Sequence, residues 1–175
     1  MLHFGPPDKV ILKTLVGERH YAECYPIMVK AFKAGLAKLG HYDGLPDTVK
    51  KLHALGVPQT IFTGRGRVTT DLILEHYSWQ NTFVEVVTND DVSEYKPHPE
   101  GILRILKNAK VLPANAIMIG DTVSDFTTAQ AAGVKHLCAM WDAWAKEDRE
   151  KLEKKGVPEF ALHPSEVLTR VQHVG

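Results

Sequence analysis

Apolar positions near the start of the chain recur at helical spacing. Val10, Ile11 and Leu15 fall on one face of a helix predicted over residues 7–18. A similar spacing predicts a second helix over residues 20–39. The chain therefore opens on helices alone.

From residue 46 onward, short apolar runs alternate with amphipathic stretches. The predicted strands cover residues 58–62, 83–87, 116–119, 135–140 and 160–162. The predicted helices cover residues 46–55 before the first strand, then 68–76, 99–108 and 124–132, a charged segment between the last two strands, and residues 164–172. Such alternation predicts an α/β fold of three layers, a Rossmann-like parallel sheet covered by helices, which binds ligands at the carboxyl ends of its strands.

Composition and charge narrow the classes of partner. The 21 basic and 21 acidic residues cancel, which gives no reason to expect a nucleic acid or an anionic membrane as a partner. Cys24 and Cys138 lie far apart and form neither a metal motif nor a disulfide framework. With no apolar stretch of membrane-spanning length and no secretory signal, a cytoplasmic protein is expected.

Residues capable of phosphate chemistry follow three of the predicted strands. Thr63 and Gly64 follow the first strand, Lys96 follows the second, and Asp121 with Asp125 follows the third. A hydroxyl and an amide can donate hydrogen bonds to phosphate oxygens, a lysine can neutralise their charge, and paired carboxylates can hold Mg²⁺. The set therefore indicates a site for a phosphorylated ligand.

Each of these features has a plainer interpretation when it is taken alone. Thr63 can serve as a hydroxyl cap at a turn, and Lys96 can belong to a rigid loop that leads into a helix. Asp121 and Asp125 can be acidic residues at a helix start. Arg65 either contacts an anionic substrate or is a surface arginine. The order of the whole set along the chain favours the functional interpretation.

The combined motifs resemble the haloacid dehalogenase superfamily, and within it the phosphoglycolate phosphatase-like branch. IFTGR is similar to the second motif of that superfamily, EYKPHPE to the third, and IMIGDTVSD to the fourth, GDxxxD. The resemblance implies that Thr63 and Gly64 bind the transferring phosphoryl group and that Lys96 stabilises its charge. It further implies that Asp121, helped by Asp125, ligates Mg²⁺.

The first motif of the superfamily, DxDxT, occurs nowhere in the sequence. That motif supplies the aspartate nucleophile at the end of a central strand, so the resemblance implies that this strand is missing. Residues 1–41 resemble part of the helical cap, and residues 42–175 resemble the core. The chain is thus expected to be truncated inside the cap, with a weakened metal site and an open sheet edge.

Two functions remain open from the sequence. The first is a phosphatase that hydrolyses small phosphorylated metabolites through Mg²⁺ and an aspartyl-phosphate, with the nucleophile supplied from elsewhere. The second is a non-catalytic protein that binds phosphate ligands, or that pairs with a second copy or another chain at the open sheet edge. His136 and Cys138, which alternate in a strand, are expected to pack rather than react.

Overall fold

The computed structural model of the chain describes residues 7–141 and 149–171, and within them the helices and strands follow the predicted order. The helices are α1 (Asp8–Val16), α2 (Glu18–Leu36), α3 (Leu45–Ala54), α4 (Arg67–His76), α5 (Glu100–Ala109), α6 (Val123–Ala131), α7 (Arg149–Lys154) and α8 (Glu166–Val171). The strands are β1 (Thr60–Phe62), β2 (Glu85–Val87), β3 (Ile117–Gly120), β4 (Lys135–Ala139) and β5 (Phe160–Ala161). The last predicted helix extends to Gln172, which lies outside the described residues.

The described strands form two parallel sheets. In one sheet β1 pairs with β2, with Ile61 opposite Val86. In the other the order is β3-β4-β5, with Ile119 opposite Leu137 where β3 meets β4. The predicted α/β class and the parallel direction of the strands are confirmed. The predicted absence of a central strand stays a prediction.

Two compact units make up the described chain. The first consists of two segments, the described residues up to Gly40 and Gln59–Tyr95. It therefore contains α1, α2, β1, α4 and β2. The second contains His41–Pro58 and the described residues from Lys96 onward. The predicted division into a cap segment, 1–41, and a core, 42–175, stays a prediction.

Strand β4 lies at the centre of the second unit and is buried on both faces. Leu137 is packed in a cluster with Leu52 of α3 and Val167 of α8. The next residue, Cys138, belongs to a separate cluster with Leu152 of α7. Because successive side chains of a strand point to opposite faces, helices cover both sides of the three-stranded sheet. This unit therefore has the predicted three layers.

In the first unit, α1 is fixed to the start of α4 by the half-buried carboxylate of Asp8. Asp8 accepts hydrogen bonds from the hydroxyl of Thr69 at 2.6 Å and from the amide of Gly66 at 3.3 Å. An acidic side chain at a helix N-terminus is favoured by the helix dipole. Lys9, the next residue of α1, forms an ion pair with Asp90. No helix within the described ranges is long and apolar enough to cross a membrane.

Candidate functional site

The turn after β1 presents the predicted phosphate-binding residues. The amide of Thr63 donates to the carbonyl of Val87 at 2.9 Å, which continues the pairing of β1 and β2 by one residue. The hydroxyl of Thr63 accepts a hydrogen bond from the amide of Arg65 at 3.2 Å. The Gly64 amide donates to no other residue in the described part of the chain. The turn therefore offers a hydroxyl proton and an amide proton to an anion.

Asn89 holds this turn in place. Its amide donates to the carbonyl of Arg65 at 3.0 Å, and its side-chain amide donates to the carbonyl of Gly64. Asn89 is 6% exposed, and its side-chain oxygen has no hydrogen-bond partner among the described residues. Its contact with Gly64 spans 25 residues, and no local pattern in the sequence signals it.

Lys96 and Asp125 contact each other directly. Lys96 is predicted to bind phosphate, and Asp125 is predicted to bind metal. Lys96 Nζ lies 2.6 Å from Asp125 Oδ1, and their side chains are 18% and 6% exposed. Attraction between opposite charges is strong where water is largely excluded. The structure thus joins the third and fourth predicted motifs through a buried ion pair.

Asp125 also caps the helix in which it lies. Its Oδ2 accepts from the hydroxyl of Thr122 at 2.6 Å and from the Thr122 amide at 3.1 Å, while the Asp125 amide donates to the Thr122 hydroxyl. This reciprocal pair is a capping box at the start of α6. Burial alone would raise the pKa of Asp125, but the charge and hydrogen bond of Lys96 and the hydrogen bonds of Thr122 hold it below its usual range.

Asp121 lies directly after β3 and is exposed. No group of three or more potential metal-ligating side chains is found in the described ranges. Mg²⁺ is commonly bound through one or two carboxylates, with water and substrate phosphate completing its shell. The hard oxygen donors of Asp121 and Asp125 are therefore of the right chemical kind for Mg²⁺, although both oxygens of Asp125 are engaged by Lys96 and Thr122.

Gly120 is required by the close approach of Asp125 to the end of β3. A Cβ atom placed on Gly120 would lie 2.5 Å from Asp125 Cβ and 2.6 Å from its Cγ. Real Cβ atoms essentially never have contacts shorter than 3.0 Å. The glycine of the GDTVSD stretch therefore makes room for the buried carboxylate.

His136 and Cys138 are both buried in β4. Burial raises the pKa of the Cys138 thiol to about 11. A thiol that stays protonated near neutral pH is a poor nucleophile. The sulfur of Cys138 lies 3.8 Å from that of Met140, so the side chain packs in the core.

The imidazole of His136 is expected to make the chain less stable in acid. Burial lowers the pKa of His136, and neither ring nitrogen has a hydrogen-bond partner among the described residues. The unfolded chain then binds a proton more readily, so this destabilisation grows as the pH falls from about 6.5 toward the lower pKa of the folded state. Urea unfolding of the wild type and of His136→Leu at pH 8 and pH 5.5 measures the effect.

We expect His136→Leu to lose less stability than the wild type over that pH interval. The control is His53→Gln, which removes an exposed histidine of α3. Equal losses for the wild type and His136→Leu would show that His136 does not control the acid response.

Comparison with known proteins places this chain in a family. The model of the haloacid dehalogenase-like hydrolases matches residues 2–139. A pyrophosphatase PpaX from Anoxybacillus flavithermus is 31% identical over 160 residues, which is 90% of this chain and 72% of that protein. A phosphoglycolate phosphatase from Xylella fastidiosa is 30% identical over 61% of this chain and 47% of that protein. The chain belongs to the haloacid dehalogenase-like hydrolase family.

Solved structures agree with this fold. A haloacid dehalogenase hydrolase of family IA from Entamoeba histolytica superposes with a TM-score of 0.76 at 19% identity, over 95% of this chain and 78% of that one. The resemblance predicted from the motifs is confirmed. The chain nevertheless spans only about half the length of several curated relatives that it matches.

Proposed function

We propose that the protein is a phosphatase-type hydrolase of small phosphorylated metabolites. The observation that carries the proposal is the contact of Lys96 with Asp125, four residues beyond the exposed Asp121 at the end of β3. The Lys96 cation can neutralise the negative charge of a phosphoryl group, and the neighbouring carboxylate of Asp125 can attract the metal ion that accompanies it. The relatives named pyrophosphatase and phosphoglycolate phosphatase support the same reaction class.

In the proposed function, the Thr63 hydroxyl and the Gly64 amide donate hydrogen bonds to phosphoryl oxygens. Lys96 neutralises phosphoryl charge, and Asp121 with Asp125 would hold Mg²⁺. When bound, the metal ion would supply further neutralisation of the negative charge that develops during transfer.

Hydrolysis through an aspartyl-phosphate needs an attacking carboxylate, and the sequence contains no DxDxT. This observation favours a second candidate function, a non-catalytic protein that binds phosphate ligands. Such a protein can also pair with a partner, because β3 forms one edge of the three-stranded sheet among the described strands. Ile119 on that edge is 39% exposed. A second copy of the chain or a different chain is the proposed occupant.

Turnover decides between the two candidates. The purified chain is incubated with Mg²⁺ and a panel of phosphomonoesters, and phosphate release is compared with that of Asp121→Asn. Release that the variant abolishes supports the hydrolase. Phosphate binding without release supports the binding protein, and a monomer by light scattering counts against the paired form.

Thr63→Val is expected to weaken the binding of inorganic phosphate by about 10-fold or more, because a hydrogen bond to a charged group contributes about 1.5–3 kcal/mol. Valine is close to threonine in shape and replaces the hydroxyl with a methyl group. The measurement is isothermal titration calorimetry.

The matched control is Thr14→Val on α1, whose exposed hydroxyl donates to the Val10 carbonyl at 2.8 Å. It is expected to bind phosphate as the wild type does. Equal affinity in the wild type and Thr63→Val would remove Thr63 from the phosphate site.

A further inference from the structure

Arg65 follows the proposed phosphate-binding turn, and an aromatic ring fixes its position. Its guanidinium carbon lies 5.4 Å from the centroid of the Phe32 ring on α2, a cation–π contact. Arg65 is otherwise exposed to solvent. A guanidinium that rests on an aromatic face keeps its edge N–H groups available for a planar or tetrahedral anion.

Neighbouring cations of the first unit are already neutralised. Lys9 pairs with Asp90, and Arg67 pairs with Asp91. In contrast, no carboxylate within residues 7–141 and 149–171 forms an ion pair with Arg65. The positive charge of Arg65 is therefore uncompensated in the part of the chain that is described.

The backbone of Arg65 is held at a fixed place relative to Thr63. The Arg65 amide donates to the Thr63 hydroxyl, and the Arg65 carbonyl accepts from the buried Asn89. An anion bound by Thr63 and Gly64 would thus lie within the same short turn that carries the guanidinium. Guanidinium groups bind carboxylates and phosphates in bidentate fashion.

We propose that Arg65 determines specificity by binding a second acidic group of the substrate. The substrate class is then a small phosphomonoester or phosphoanhydride that carries a carboxylate or a further phosphoryl group near the transferred one. This inference rests on the proposed phosphate-binding role of Thr63 and Gly64. Arg65 would add to that role the requirement that the substrate carry a second acidic group.

Three non-hydrolysable phosphonates test the inference by titration calorimetry on the full chain. Phosphonoacetate carries a second acidic group, acetonylphosphonate replaces it with a neutral group of similar shape, and methylenediphosphonate carries a second phosphonate. We expect the wild type to bind at least one diacid about 10-fold or more tightly than acetonylphosphonate, because a charge-assisted bidentate contact is lost in the neutral compound. The preferred diacid identifies the second group.

Arg65→Gln is expected to abolish this preference, with a much larger loss of affinity for the preferred diacid than for acetonylphosphonate, whereas Arg65→Lys retains part of the preference. Phe32→Leu, which removes the aromatic face, is expected to give an intermediate loss. The control for loss of one positive charge is Lys30→Gln, at an exposed position of α2. Circular dichroism confirms that each variant is folded.

The possible failures are distinguishable. Equal affinity of the wild type for all three phosphonates overturns the role of Arg65 and leaves the proposed function standing. The same holds if Arg65→Gln weakens all three equally, since Arg65 would then serve general phosphate binding. Failure of the wild type to bind any of them overturns the proposed function and this inference with it.

Discussion

Asp125→Ala is expected to lower the free energy of unfolding by about 3–5 kcal/mol, the usual cost of removing one partner of a buried ion pair. The substitution leaves the Lys96 ammonium without the carboxylate that lies 2.6 Å from it. It also removes the capping box of α6, which by itself costs about 1 kcal/mol. Urea unfolding followed by circular dichroism, in the presence of a chelator, measures the stability of the metal-free chain.

The matched control is Asp121→Ala, four residues earlier and exposed. We expect it to change the free energy of unfolding by less than about 1 kcal/mol, as most exposed substitutions do. A double variant, Lys96→Met with Asp125→Leu, should recover part of the lost stability because no unpaired charge remains buried. A loss below about 1 kcal/mol for Asp125→Ala would contradict the structural importance of the pair.

Gly120→Ala is expected to destabilise the chain by about 1–3 kcal/mol, the range for atoms forced into a packed site. The new methyl group would lie 2.8 Å from Asp125 Oδ2 as well as close to its Cβ and Cγ. Asp125 must then move, and the contact with Lys96 is disturbed. Thermal and urea unfolding report the loss of stability, and a decreased phosphate affinity would report the disturbed contact.

Gly35→Ala provides the opposite case. Gly35 lies near the end of α2, and a Cβ atom there would meet nothing within 4 Å. Alanine in a helix is expected to be neutral or to stabilise it by up to about 1 kcal/mol. If both variants lost the same stability, the cause would be a general intolerance of added methyl groups rather than the approach of Asp125 to Gly120.

The order of helices and strands can be predicted from the periodicity of apolar residues, because each helix or strand buries one face or both. In α5, Ile102, Ile105 and Leu106 are buried at the spacing of one helical face. In β4, the apolar run around Leu137 and Cys138 corresponds to a strand covered on both sides. The local hydrophobic pattern is enough to predict such helices and strands. Their observed ends differ from the predicted ends by a few residues.

The charge pairs of the site could not be predicted in the same way. Lys96 and Asp125 are 29 residues apart, so only the tertiary fold brings them together. The capping box of α6 was readable, since Thr122 and Asp125 have the required spacing. The box agrees with the plainer interpretation of Asp125 as an acidic residue at a helix start.

The capping box and the buried ion pair have an evolutionary consequence. Lys96 and Asp125 stabilise the fold whether or not the chain turns over a substrate, so selection for folding alone is enough to preserve both. A descendant that had lost its activity would still carry most of the two motifs. Their presence therefore records the reaction class of the family, and the exposed Asp121 is the position where sequence drift would reveal whether the chemistry is still under selection.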